Sequence, residues 1–200
     1  MRVIAGRCRG RKLKPPQDQT LTRPITDRVK EAMFNRLQSL GVLAPGQLHE
    51  VVDLFCGTGS LGLEALSRGA DRCTFVDADP DAINGLQHNL DTLGLAGFAR
   101  VYRCDALSEA WLTTIPERSI SLVMIDPPYA MTGHPDPRER VLQLLEPLIA
   151  KTEPGAVLVL RSQRGCHIAA RANWDGPASI TYGTMELHFF QRPLDESQPG

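Results

Sequence analysis

The residues best suited to chemistry are Asp126-Pro127-Pro128-Tyr129, which follow the apolar run Ile120–Ile125. Two prolines after a strand remove two backbone donors and fix the chain direction, which stiffens the loop holding Asp126 and leaves carbonyls unpaired by the sheet. A carboxylate and a backbone carbonyl placed there accept the two hydrogens of an amino group, while the neighbouring ring stacks on a base. An exocyclic base nitrogen shares its lone pair with the ring and is a poor nucleophile. Holding both hydrogens out of the ring plane directs that pair at an electrophilic methyl, and orientation of this kind contributes on the order of 7 kcal/mol in favourable cases. Asp126 is then an acceptor rather than a strong base, and Tyr129 holds a splayed-out base at roughly 1–3 kcal/mol. The plainer alternative is a proline-terminated strand beside an ordinary aromatic.

A second constellation is Asp53-Leu54-Phe55-Cys56-Gly57-Thr58-Gly59-Ser60-Leu61-Gly62, between an apolar strand and a helix. Glycines there let the backbone approach a ligand, and the helix N-terminus offers unpaired N–H donors. The spacing also satisfies G-x-G-x-x-G, so a dinucleotide is considered. Asp77 ends the next strand, where a carboxylate binds both ribose hydroxyls of an adenosine. Asp53 separates the two ligands: an acid before the loop opposes a pyrophosphate but suits an amino acid bearing a sulfonium. Its alternative role is to order the loop. Asp105 ends a third strand, beside an adenine or as a cap for the following helix.

Strands and helices alternate around these acids. Strands are predicted over Val51–Phe55, Cys73–Asp77, Ala99–Cys104, Ile120–Asp126, Ala156–Arg161, Ile180–Gly183 and Met185–Gln191. Helices are predicted from Thr26 or Asp27 to about Leu40, and over Gly57–Arg68, Pro80–Leu93, Leu107–Ile115 and Arg138–Lys151. Apolar strands alternating with helices imply a parallel sheet covered on both faces. The last two strands have no room for a crossover between them and must be antiparallel. The expected fold is α/β: a Rossmann-like, class I S-adenosylmethionine-dependent methyltransferase sheet of seven mostly parallel strands, with an antiparallel C-terminal strand and a small basic N-terminal arm. The expected division is an arm or hairpin over 1–24, the methyltransferase domain over 25–192 and a disordered tail over 193–200.

The net charge of −1 conceals an asymmetry. Residues 1–30 carry nine Lys/Arg against Asp18 and Asp27, a net of +7, on an acidic body. Such an arm suits a polyanion, although a solvated terminus carries similar charge. The five cysteines are scattered with no paired spacing and no His cluster, which argues against disulfides and against a metal site. No apolar run approaches the roughly 20 residues of a membrane span, so a cytoplasmic location without a membrane partner is expected.

The chain resembles the RsmD-type 16S ribosomal RNA guanine-N2 methyltransferases over nearly its whole length. The resemblance rests on Met1–Gly6, Arg9–Leu13, Arg23–Glu31, Phe34-Asn35, Asp53–Ala70 and Asp126–Tyr129. It departs at Ile25, where the family's pattern carries Thr. The resemblance implies S-adenosyl-L-methionine as cofactor, with Asp53, Gly57 and Gly59 at its methionine part, Asp77 at the ribose, Asp105 at the adenine and Phe55 as a further cofactor-binding residue. Asp126, Pro127, Pro128 and Tyr129 form the target-amine site. The implied partner is 16S rRNA in the small ribosomal subunit or an assembly intermediate, docked through Arg7, Arg9, Arg11, Lys12, Arg23 and Arg28. A monomer is expected. The competing readings are a DNA adenine-N6 methyltransferase, for which 200 residues leave little room for target recognition, and a non-catalytic RNA-binding module. An NAD-dependent oxidoreductase leaves Asp126–Tyr129 without a purpose, and a protein-glutamine methyltransferase leaves the arm without one.

Overall fold

A computed structural model describes residues 1–16, 25–44, 47 and 49–195. The predicted tail therefore lies mostly outside the described residues. The sheet strands are β1 (Glu50–Leu54), β2 (Arg72–Asp77), β3 (Ala99–Arg103), β4 (Ile120–Ile125), β5 (Thr152–Gln163), β6 (Asp175–Tyr182) and β7 (Met185–Gln191). The helices are α1 (Asp27–Ser39), α2 (Ser60–Arg68), α3 (Pro80–Leu93), α4 (Tyr129–Gly133), α5 (Pro135–Gln143) and α6 (Leu145–Lys151). One seven-stranded sheet has the order β3-β2-β1-β4-β5-β7-β6. The first five strands in that order run parallel; β7 is antiparallel to both β5 and β6. The expected sheet is the one found.

Period-two alternation divides the core between the two sheet faces. Val51, Leu122, Met124, Val157 and Val159 pack under α1, α2 and α3. Val52, Leu54, Val123, Ile125, Leu158 and Leu160 pack with Trp111, Trp174, α5 and α6 on the other face.

Three predicted elements change. The helix over Leu107–Ile115 is a short 3-10 turn over Ala110–Thr114. The single helix over Arg138–Lys151 is two shorter ones, α5 and α6, with Pro135 opening α5 and Pro147 in the first turn of α6. The segment 130–137 thus belongs to α4 and α5, and His134 is an exposed cap between them. Strand β6 starts at Asp175, earlier than predicted, because Gly176-Pro177 hides it in the sequence. An edge strand tolerates that proline, and the register shifts between Asp175 and Ala178.

The N-terminal arm is a small hairpin with an antiparallel bridge between Arg2 and Lys12. Val3, Cys8 and Leu13 enter the α1–α3 side of the core. The buried Glu64 of α2 joins the hairpin to the body: its carboxylate accepts the N–H groups of Ile4 (2.7 Å) and Ala5 (3.0 Å) and the Arg68 guanidinium (2.7 Å). The buried Lys30 ammonium lies 3.5 Å from Glu64 and donates to the Arg2 carbonyl at 2.7 Å. Burial lowers the Lys30 pKa, and Glu64 opposes that shift. Every neighbour of Glu64 named here is a donor, so Glu64→Gln forces an amide NH2 against one of them. Thermal denaturation is expected to show a loss of about 2 kcal/mol, with faster proteolysis within residues 1–16.

Candidate active site

Side chains alternate along a strand, so the parity that assigns the core also assigns the site. Asp53 follows Val52, Asp126 follows Ile125, and Arg161 follows Leu160, so all three fall on the α1–α3 face. β1, β4 and β5 are parallel neighbours, which brings Asp126 and Arg161 together at the carboxyl edge of the sheet.

Asp126 donates its N–H to the Leu54 carbonyl at 3.2 Å. Its carboxylate forms an ion pair with the Arg161 guanidinium, which is itself buried. Burial pushes the Asp126 carboxyl up, while Arg161 pulls it back. The same guanidinium lies 5.4 Å from the centroid of the Tyr129 ring. Tyr129 is half-buried, packs against the α1–α3 side of the core and opens α4. Its buried hydroxyl has no hydrogen-bond partner among the described residues. Pro127 is buried. The Pro128 carbonyl accepts the Met131 N–H at 2.8 Å.

The glycine loop divides into three roles. Gly57 has φ +55°, and a Cβ there meets nothing, so its backbone faces open space. Gly59 has φ +85° and a Cβ there would lie 2.4 Å from Leu86, so it is required by packing as well as by its turn. A Cβ on Gly62 would collide with Phe75 at 2.3 Å, which is how α2 sits tightly on β2. Phe55 holds a positive φ of 57° at the mouth. Together with Cys56, Gly57, Asp126 and Arg161 it lines a cleft that Met1, Pro16 and Ile25 close from the N-terminal side.

Asp53 does not face that cleft. It is fully buried, and its carboxylate accepts the Gly62 N–H at 2.8 Å while the other oxygen has no partner among the described residues. β1 places it beneath the loop rather than at its rim, where it orders the loop through Gly62. Burial pushes its pKa up to about 8, with Asp126 and Asp77 adding and the Gly62 N–H opposing. The folded state therefore holds a proton that the unfolded chain releases near pH 4. This group's contribution to stability is fully present below about pH 4 and is lost as pH rises toward 8. In denaturant titrations Asp53→Asn is expected to flatten that decline between pH 6 and about 8; an unchanged slope refutes the assignment.

Asp77 ends β2 and accepts the Gly57 N–H (2.7 Å) and the Asp79 N–H (2.9 Å), so it braces the loop from the neighbouring strand. Asp105, exposed after β3, accepts the Leu107 N–H at 2.9 Å. Both sit on the carboxyl edge outside the cleft lining. Of the basic residues, Arg7, Arg9, Arg11, Lys12 and Arg28 are exposed, while Arg23 lies outside the described residues. Arg7 lies over the Phe98 ring at 4.4 Å, and Arg11 donates to the Thr92 carbonyl at 2.8 Å, so these two also fasten the hairpin. All five cysteines are free, and no cluster of metal-ligating residues occurs among the described residues. No described helix is long and apolar enough to cross a membrane.

Sequence reasoning missed Arg161 and the Lys30–Glu64–Arg68 cluster. Arg161 had a readable signal: a charged residue that continues the inward parity of Val157 and Val159 must be paired.

The family model described as Conserved hypothetical protein 95 matches residues 1–191. Ribosomal RNA small subunit methyltransferase D of Escherichia coli K12 is 42% identical over 129 residues, 64% of this chain and 60% of that protein. The Haemophilus influenzae protein of the same name is 31% identical over 96% of this chain and 93% of its own length. The solved structure of Escherichia coli yhhF superposes with a TM-score of 0.76 at 32% identity, covering 98% of this chain and 99% of that one. Matched along almost all of its length, the chain belongs to the Conserved hypothetical protein 95 family, that of the small-subunit methyltransferase D proteins.

Proposed function

We propose that the protein methylates the exocyclic N2 amine of a guanine in small-subunit ribosomal RNA, with S-adenosyl-L-methionine as methyl donor. The observation that carries this reading is Asp126, held by a buried arginine at the end of β4 and opening on the same cleft as Gly57. The names of the relatives agree with it. The catalytic roles fall to Asp126, Pro127, Pro128 and Tyr129.

The residues present fit the donor. Gly57 offers a backbone cradle that a Cβ would fill, Phe55 stands at its mouth, and Asp77 keeps lone pairs for a ribose beyond the two N–H groups it accepts. Asp105 remains exposed for an adenine amine. Asp53 and Gly59 act from beneath, by setting the loop. When bound, the donor supplies an electrophilic methyl, and the electron pair of the broken bond stays on sulfur.

The chain's own part is orientation. The Asp126 carboxylate accepts one amine hydrogen, and a carbonyl of the Asp126–Pro127 segment accepts the other. Tyr129 and the guanidinium above it limit the base to one plane. The proton released on N-methylation leaves through Asp126 or solvent. Arg9, Lys12 and Arg28, with the unplaced Arg23, meet RNA phosphates; Arg7 and Arg11 add charge from their fastened positions. The same reading takes the enzyme as a cytoplasmic monomer whose hairpin, residues 1–24, is an RNA-docking part of the catalytic domain over 25–192.

Incubation with radiolabelled S-adenosylmethionine and small subunits from cells lacking the protein is expected to label one guanine at N2. Label on DNA adenine instead, or calorimetric preference for NAD, overturns the reading.

A further inference from the structure

A second groove opens on the same edge of the sheet, and no role has been given to it. Strand β5 runs toward the carboxyl edge, and its last residue, Gln163, pairs with Met185, the first of β7. The turn between β6 and β7, Gly183-Thr184, therefore lies at the edge that carries Asp126 and Arg161. The N-terminus of α1 faces this turn. Thr26, Arg28 and Val29 on one side, with Tyr182, Thr184 and Met185 on the other, line a groove of about 630 Å³.

Three features give the groove a chemistry. Its aromatic wall is Tyr182, half-buried by packing against the α1–α3 side of the core. Its lining carries no acid, and the exposed Arg28 stands on it. The exposed Arg164 is tied to the turn, with its N–H donating to the Thr184 carbonyl at 3.0 Å. The acids next in sequence to lining residues are both engaged: Asp27 pairs with Arg2 at 2.8 Å, and Glu186 accepts the hydroxyl of Thr181, itself a lining residue, at 3.0 Å and the Gly165 N–H at 3.2 Å. Ile25 lines the first cleft and its chain neighbour Thr26 lines this groove.

We propose that this groove binds the nucleotide next to the target guanine on the same RNA strand, its base on Tyr182 and its phosphate between Arg28 and Arg164. The inference rests on the methyl-transfer reading above. A base flipped toward Asp126 leaves its neighbour unstacked, and an aromatic wall on the same edge of the sheet replaces the lost stacking without reading sequence. Flanking cations neutralise the phosphate and position the strand.

Steady-state transfer to unmethylated small subunits tests it. Tyr182→Leu keeps an apolar side chain at the core and removes the stacking surface; Tyr182→Phe keeps the surface. The leucine variant is expected to raise KM for the particle about tenfold with kcat and S-adenosylmethionine affinity unchanged, and the phenylalanine variant to match wild type. Arg28→Glu, on an exposed position that does not risk the fold, is expected to raise KM further and to weaken the salt dependence of binding. Equal KM for wild type and Tyr182→Leu overturns the groove while leaving the methyl-transfer reading intact. Absence of transfer by wild type fails that reading instead. A photoreactive side chain at position 182 is expected to cross-link to RNA beside the methylated guanine; cross-links solely to a ribosomal protein also overturn the proposal.

Discussion

Asp126→Ala is expected to lower kcat for methyl transfer by at least about a thousandfold, near 4 kcal/mol, while S-adenosylmethionine binds within about threefold of wild type. The size follows from what the residue does. A delocalised amine gains nucleophilicity only when its hydrogens are held, and one of the two acceptors is this carboxylate. Cofactor affinity is spared because Gly57 and Asp77 belong to other elements, the β1–α2 loop and the end of β2. Removing the carboxylate also leaves the buried Arg161 without its partner, so part of the loss could come from disorder. Asp126→Asn separates the two effects. The amide keeps the shape and still offers one oxygen, so its thermal stability stays nearer wild type. Its rate falls almost as far, because its charge no longer draws the amine hydrogens. Rates come from radiolabelled transfer, and affinities from calorimetry. An asparagine variant at wild-type rate refutes the role of the charge, and an alanine variant with retained transfer refutes the site.

Much of this was readable before any coordinates. The alternation of Leu122, Val123, Met124 and Ile125 gave a strand buried on both faces, and the acids at 77, 105 and 126 fell on its carboxyl edge with their neighbours. Two details needed the tertiary structure. Asp53 precedes the glycine loop and suited either a ligand contact or a loop-ordering role; strand parity puts it beneath that loop, where it accepts the Gly62 N–H. The arm was legible as a basic arm or hairpin, but not how it is held, because its fasteners are elsewhere in the chain: Glu64, Ser67 and Asn89 accept N–H groups of Ile4 and Ala5, Cys8 and Lys14 respectively. Long-range polar contacts leave no period in a sequence. The break between α5 and α6 had a visible sign in Pro147, yet the apolar spacing of Val141, Leu145 and Leu148 ran across it.

Arg161→Met is expected to move the acid limb of the pH–rate profile to higher pH by at least one unit, and to cost about 3–5 kcal/mol of stability near neutral pH. Burial already pushes the Asp126 carboxyl up, and the guanidinium is the opposing influence. Without it the carboxyl rises further, and the ionised acceptor exists only in more alkaline solution. The rate of the methionine variant should therefore recover as pH increases. Its stability must change in the opposite sense. A carboxyl whose folded pKa stands above its unfolded value near 4 has its stabilising contribution fully present below that value, and it is lost as pH rises through the folded pKa. The variant is thus expected to be most active where it is least stable, a pairing that a merely structural role for Arg161 does not produce. Arg161→Lys keeps a positive charge but not the planar group lying over Tyr129, so it should restore the acid limb more fully than it restores KM for RNA. An unshifted acid limb in Arg161→Met, measured beside a melting curve at each pH, shows that the ion pair holds the fold and leaves the chemistry to Asp126 alone.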